Sequence, residues 1–175
     1  AGGPPAQILI DSSAVGRIAA RQAVKGEHSQ AIGRSRGGRT TKIHALTDGL
    51  WRPVAFMLTG GNVADCTAGE ILLEQLPVTG LVNADKGGPV LGLDPRDSNA
   101  IRRQIGERGA FANIPPKANR IWKNCFSPFL YRDRNAIERM FCRIKDFRRI
   151  ATRYDRNATN FLAAVQIAAT VAFWL

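Results

Sequence analysis

One stretch of the chain constrains its fold more than any other. Thr41-Lys42-Ile43-His44-Ala45-Leu46 alternates polar and apolar residues, the period of a half-buried strand. Asp48-Gly49 follows as a hairpin turn signal, and a second strand-like run covers residues 53–58, closed by Gly60-Gly61. Two adjacent strands joined this way pair antiparallel. Before them Gln7-Ile8-Leu9-Ile10 is a short, mostly apolar run that suits a buried central strand and ends at Asp11. After them the pattern changes. Asp65 heads a helix carrying Ile71, Leu72, Leu73 and Leu76 and stopped by Pro77. Leu81-Val82-Asn83-Ala84 is a fourth strand, leading into Asp85-Lys86-Gly87-Gly88. Asp97 or Ser98 caps a helix that runs to about residue 108 and ends at Gly109. Phe111-Ala112-Asn113-Ile114 is a fifth strand, stopped by Pro115-Pro116, and long helices are expected over 132–151 and 159–175. Hairpin-linked strands followed by β-α-β units predict an α/β chain with a mixed five-stranded sheet flanked by helices. Residues 16–39 lack periodicity, carry Gly and Arg, and read as a mobile basic loop.

At 175 residues the chain is sized for one domain, with residues 1–6 linker-like at its start. It carries 25 Lys and Arg against 14 Asp and Glu, a net charge of +11. Such a surplus points to a polyanionic partner, nucleic acid first and an anionic membrane second. A membrane span needs roughly 20 apolar residues, and the apolar run 161–175 is shorter and interrupted by Gln166, so no membrane role is expected. Cys66, Cys125 and Cys142 are odd in number and form no CxxC, against a disulfide framework or a structural zinc. His28 and His44 alone cannot build a His-rich metal site.

Asp11 and Asp85 each follow a strand, where α/β proteins place their sites. If those strands are parallel neighbours, both carboxylates emerge at one sheet edge. Hard Mg²⁺ or Mn²⁺ could then join them, although either Asp alone reads first as a turn cap. On the helix expected over 132–151, Ile137, Met140, Phe141, Ile144 and Phe147 form the core stripe. Glu138 sits at its edge with Arg134, Lys145 and Arg149 on the same side. That edge reads either as a surface ion pair or as a metal-ligating Glu flanked by phosphate-holding cations. Arg34, Arg36, Arg39 and Lys42 form a Gly-rich basic arm suited to a phosphate backbone. Its approach to a P-loop fails, because Arg39 stands where Lys is needed and the segment precedes a strand. Lys117, Arg120 and Lys123 form a further basic stretch. His44, mid-strand, reads as a packed histidine.

Tyr131, Arg134, Glu138 and Lys145 have the spacing Tyr-(2)-Arg-(3)-Glu-(6)-Lys, the signature of DDE transposases of bacterial insertion sequences. Ile10-Asp11-Ser12-Ser13, Ala31-Ile32-Gly33-Arg34-Ser35-Arg36-Gly37-Gly38, Leu58-Thr59-Gly60-Gly61, Ala84-Asp85-Lys86-Gly87 and Arg148-Arg149-Ile150-Ala151-Thr152-Arg153-Tyr154-Asp155 resemble the insertion-sequence-five family, in order and over nearly the whole chain. The resemblance implies an RNase H-like catalytic core. It implies Asp11, Asp85 and Glu138 as catalytic carboxylates holding two Mg²⁺ or Mn²⁺ ions, with Tyr131, Arg134 and Lys145 near the DNA end. The activity implied is metal-dependent strand cleavage and strand transfer at the element's ends. The implied partners are the terminal inverted repeats, target DNA and a second copy of the chain, in a bacterial cytoplasm beside the nucleoid.

Three departures accompany the resemblance. Residues 88–96 read as an inserted loop beside Asp85, of the kind a reading-frame scar would leave. Ser13-Ala14-Val15-Gly16-Arg17 stands where the family commonly has a His, and an N-terminal DNA-binding region is not part of this sequence. The competing function is a remnant that binds DNA without sequence preference and does not cut it.

Overall fold

The structure, a computed structural model, describes residues 7–18, 30–36, 38–74, 80–84, 97–116 and 124–175. The strands are β1 (Gln7–Arg17), β2 (Gly33–Ser35), β3 (Gly38–Thr47), β4 (Pro53–Gly60), β5 (Leu81–Ala84), β6 (Phe111–Asn113) and β7 (Thr152–Arg153). The helices are α1 (Asp65–Glu74), α2 (Asp97–Glu107), α3 (Pro128–Tyr131), α4 (Asn135–Lys145), α5 (Arg148–Ala151) and α6 (Ala158–Phe173). All five expected strands form. They belong to a seven-stranded mixed sheet of order β2-β3-β1-β5-β6, with β4 also on β3 and β7 also on β1.

The register explains where a site can open. Antiparallel β3 covers one edge of β1 from Leu9↔Thr47 to Gly16↔Thr40. On the other edge, parallel β5 pairs from Gln7↔Leu81 to Ile10↔Ala84, and parallel β7 pairs at Gly16↔Thr152 and Arg17↔Arg153. Residues 11–15 lie between those two partners, with no described strand on that edge. Asp11 is the first residue of this opening. β1 and β5 are parallel neighbours, the condition for Asp11 and Asp85 to emerge at one edge, and Asp85 follows Ala84 directly but lies outside the described residues.

Alternation along β1 divides the core in two. Leu9 and Val15 join Ile43, Ala45, Ile137, Met140, Phe141, Ile144, Phe161 and Val165 on the α4/α6 face. Ile8 and Ile10 join Leu46, Leu72, Leu73, Val82 and Ile105 on the α1/α2 face. Gly109, at φ +76, ends α2 in a left-handed conformation that glycine adopts without steric cost.

Three expectations are corrected. Residues 16–39 are not a loop throughout, because β1 runs to Arg17 and β2 folds back on the start of β3 as a hairpin, Arg34 opposite Arg39. The helix expected over 132–151 is broken into a 3₁₀ turn (Arg132–Arg134), α4 and α5. Phe147, extended at φ −73 and ψ 108, separates α4 from α5 and is 40% exposed rather than part of the core stripe. The expected loop over 88–96 lies outside the described residues, as do Lys117, Arg120 and Lys123.

Candidate active site

Asp11 leaves β1 on the α4 face, the same side as Leu9. α4 crosses that face because Ala136, Ile137, Met140, Phe141 and Ile144 are buried at helical spacing. Its first turn therefore arrives above Asp11. Arg134 Nη2 lies 3.2 Å from Asp11 Oδ2 and 3.0 Å from Glu138 Oε1. One guanidinium nitrogen thus sits between two carboxylates, one from the sheet and one from the helix. The Ser12 backbone N–H also donates to Asp11 Oδ1 at 2.8 Å, which fixes the other oxygen.

The last turn of α4 closes the same opening. Lys145 Nζ donates to Ser13 Oγ at 2.6 Å and to the Ala14 carbonyl at 3.1 Å, on the stretch of β1 between β5 and β7. Burial lowers the Lys145 pKa, since the ammonium is partly withdrawn from water. Tyr131 stands beside Arg134, whose guanidinium carbon is 5.7 Å from the ring centroid, and meets Phe126 edge-on at 5.2 Å.

Among the described residues, Arg134 lies against Asp11, Glu138 and Tyr131, and Lys145 reaches the same stretch of β1. Arg34, Arg36 and Arg39 belong to the β2–β3 hairpin, where β3 pairs with Gly16, farther along β1 than Lys145. By alternation Arg39 shares the α4 face with Ile43 and Ala45. Lys42 does not join them. It turns to the α1 face, where Nζ donates to Asp65 Oδ1 at 3.1 Å and to the Val63 carbonyl at 2.7 Å. Arg149 lies beyond the helix break, so it does not extend the Glu138 edge. Asp155 holds it through two bonds, of 2.7 and 3.2 Å, which raise the Arg149 pKa and lower that of Asp155.

Two polar features behind the site escaped the sequence reading. On the α1 face, Asp65 accepts from Ser12 Oγ at 2.7 Å as well as from Lys42, while His44 Nδ1 lies 3.8 Å away. His44 is buried, its Nε2 2.7 Å from Thr59 Oγ1, and burial lowers its pKa to about 4. Beside β5, the buried Asn83 and Asn113 bond each other at 2.7 Å and reach the chain at Ser127 and Leu130. A lone Asn inside an apolar strand run, twice, was the available signal.

The donor chemistry fits a hard divalent cation. Asp11 and Glu138 supply oxygen atoms and already share one positive charge, which is the electrostatic condition such an ion satisfies. Among the described residues, no cluster of three His, Cys, Asp or Glu side chains forms, and the third expected ligand, Asp85, is outside them.

The mixed sheet flanked by helices is that of an RNase H-like transposase domain. The sequence model of the transposase DDE domain matches residues 3–173, and the chain belongs to that family. It is 31% identical over 137 residues to a Brucella ovis protein whose name assigns it as a transposase for insertion sequence element IS6501. The match covers 78% of this chain and 98% of the relative. No described helix is long and apolar enough to cross a membrane.

Proposed function

We propose that this chain is the catalytic core of an insertion-sequence transposase that cuts and joins DNA at Asp11, Asp85 and Glu138. The observation that carries the reading is the meeting of Asp11 and Glu138 on Arg134 Nη2, in the opening of the sheet edge. Two bound Mg²⁺ or Mn²⁺ ions would supply the Lewis acidity that activates a water or a DNA 3′-OH and stabilises the leaving oxygen. The chain's own residues do the rest. Arg134 holds the two carboxylates together while their mutual repulsion would part them. Lys145 occupies the Ala14 carbonyl and keeps the strand edge from recruiting another strand. Tyr131, next to Arg134, would meet a DNA end, and Arg34, Arg36 and Arg39 on the hairpin would hold flanking phosphates. The +11 charge agrees with that substrate.

The test uses a duplex carrying an element end, Mn²⁺ and the whole chain. Strand cleavage is expected from the wild type and is lost in Glu138→Gln, with DNA binding retained. Cleavage by Glu138→Gln at the wild-type rate would remove the assignment. Binding without cleavage by the wild type would favour the DNA-binding remnant.

A further inference from the structure

The segment that delivers Tyr131 and Arg134 to the site has no fully buried hydrophobic anchor of its own, Phe126, Leu130 and Tyr131 being only half-buried. Neither α3 nor the 3₁₀ turn after it contains a buried residue, and Phe129 is 70% exposed. Burial on this stretch begins only at Ala136 and Ile137, inside α4. Ser127 caps α3 by accepting from the Leu130 N–H, which orders the turn locally without fixing it to the sheet.

Besides the Arg134–Asp11 pair, the attachment comes from two fully buried amides in the ends of β5 and β6. The Asn113 side chain treats Ser127 as a strand partner would: Oδ1 accepts from the Ser127 N–H at 2.8 Å and Nδ2 donates to the Ser127 carbonyl at 3.2 Å. That arrangement permits one orientation of the amide, since reversing it would set donor against donor. Asn113 Nδ2 also donates to Asn83 Oδ1 at 2.7 Å, and Asn83 Nδ2 donates to the Leu130 carbonyl at 3.4 Å. The pair thus straps residues 127–130 to the sheet immediately before Tyr131. Asn83 stands opposite Leu9, two residues before Asp11 in the neighbouring strand.

Buried amides in a strand cost desolvation unless every donor and acceptor is used, and an apolar pair would fill the same space more cheaply. We propose that Asn83 and Asn113 are positioning residues, which set the place of Tyr131 and Arg134 over Asp11 and Glu138. The proposal rests on the reading of Asp11 and Glu138 as metal ligands. It adds that the geometry of that site is fixed by the end of the sheet as well as by the core packing of α4.

The double variant Asn83→Val/Asn113→Val tests it. Replacing both partners of a buried bond by apolar groups of similar size is nearly neutral for stability. Of the backbone groups released, the Ser127 carbonyl still accepts from the Tyr131 N–H, and Ser127 and Leu130 are only half-buried. The variant should therefore melt near the wild type. Amide hydrogen exchange over residues 128–134 should accelerate by roughly tenfold or more, while α4 and β1 keep their protection. Mn²⁺ affinity should change by about 10-fold or more, because Arg134 both orients Asp11 and Glu138 and occupies the space between them. Asn113→Asp, which keeps the volume and the bond from the Ser127 N–H but cannot make both donations, should move both readouts in the same direction if the double variant does not fold. Unchanged exchange over 128–134 overturns the strap. Faster exchange with unchanged Mn²⁺ affinity overturns the positioning role. Wild-type protein that binds no Mn²⁺ refutes the metal reading instead, and the exchange result then decides the strap alone.

Discussion

The carboxylates of Asp11 and Glu138 meet on one atom, Arg134 Nη2, at 3.2 and 3.0 Å. The two halves of this bridge differ in burial: the Asp11 side chain is 15% exposed and that of Glu138 52%. Water screens the second pair far more than the first. Double-mutant cycles in urea unfolding should therefore give about 1–2 kcal/mol of coupling for Arg134 with Asp11. For Arg134 with Glu138 only a few tenths are expected, as for an exposed i, i+4 pair. Equal couplings would show that the bridge is not ordered as described.

Much of this arrangement was legible from local pattern. Alternation over Thr41–Leu46, the Asp48-Gly49 turn and the β-α-β order gave the mixed sheet, because those signals are set by neighbouring residues. The 3.6-residue period of Ile137, Met140, Phe141 and Ile144 placed Glu138 and Arg134 together, since α4 stays helical between them. The same period failed at Phe147 and Arg149, because Phe147 leaves the helical conformation. Ile150 is buried after the break and Arg149 finds Asp155. The polar half of β1 was missed because Ser12, Ser13 and Gly16 have no strand pattern of their own. Their partners, Asp65 and Lys145, are distant in sequence.

Arg153 supplies the strongest stability prediction. It is fully buried and donates to Thr41 Oγ1 at 2.6 Å and to the carbonyls of Ala31, Asp155 and Arg156, with Phe161 under its guanidinium at 5.1 Å. Burial lowers its pKa to about 10, with Arg17 adding to the effect and Asp155 opposing it. Arg153→Ala removes a donor from four acceptors, of which the Ala31 carbonyl keeps the Thr41 hydroxyl, and opens a cavity. A loss of about 3–5 kcal/mol is expected in denaturant unfolding. Arg153→Lys should recover little, because one ammonium cannot replace a fork serving four acceptors.

His44 makes the stability depend on pH. Its pKa is pushed down to about 4, first by burial and then by Lys42, against the pull of Asp65. Between pH 6.5 and 4 the unfolded chain takes up a proton on His44 that the folded chain does not. The contribution is thus fully present above pH 6.5 and is lost as pH falls towards 4, by up to about 3 kcal/mol. His44→Gln, which can still bond Thr59 but cannot titrate, should flatten the urea midpoint over that window. Parallel profiles for the two proteins would assign the pH dependence elsewhere.

DNA binding by this chain should separate the cations that face the opening from those that do not. Contacts to phosphates release counterions, so the logarithm of the binding constant falls with the logarithm of salt by about 0.9 per phosphate neutralised. Arg34, Arg36 and Arg39 lie on the hairpin, and Lys145 lies between it and Asp11 along β1. Replacing the three hairpin arginines by Ala should reduce the slope by about 2–3. Lys42→Ala should change it little, although Lys42 is as close in sequence, because its ammonium is held on the opposite face by Asp65 and Val63. Phosphate contacts carry no base information, so an element end and a scrambled duplex should respond alike. Titrations on both duplexes at several salt concentrations measure all of this. A Lys42 effect equal to that of one hairpin arginine would show that DNA reaches the α1 face, and a slope unchanged by the triple variant would remove the hairpin from the path of the DNA.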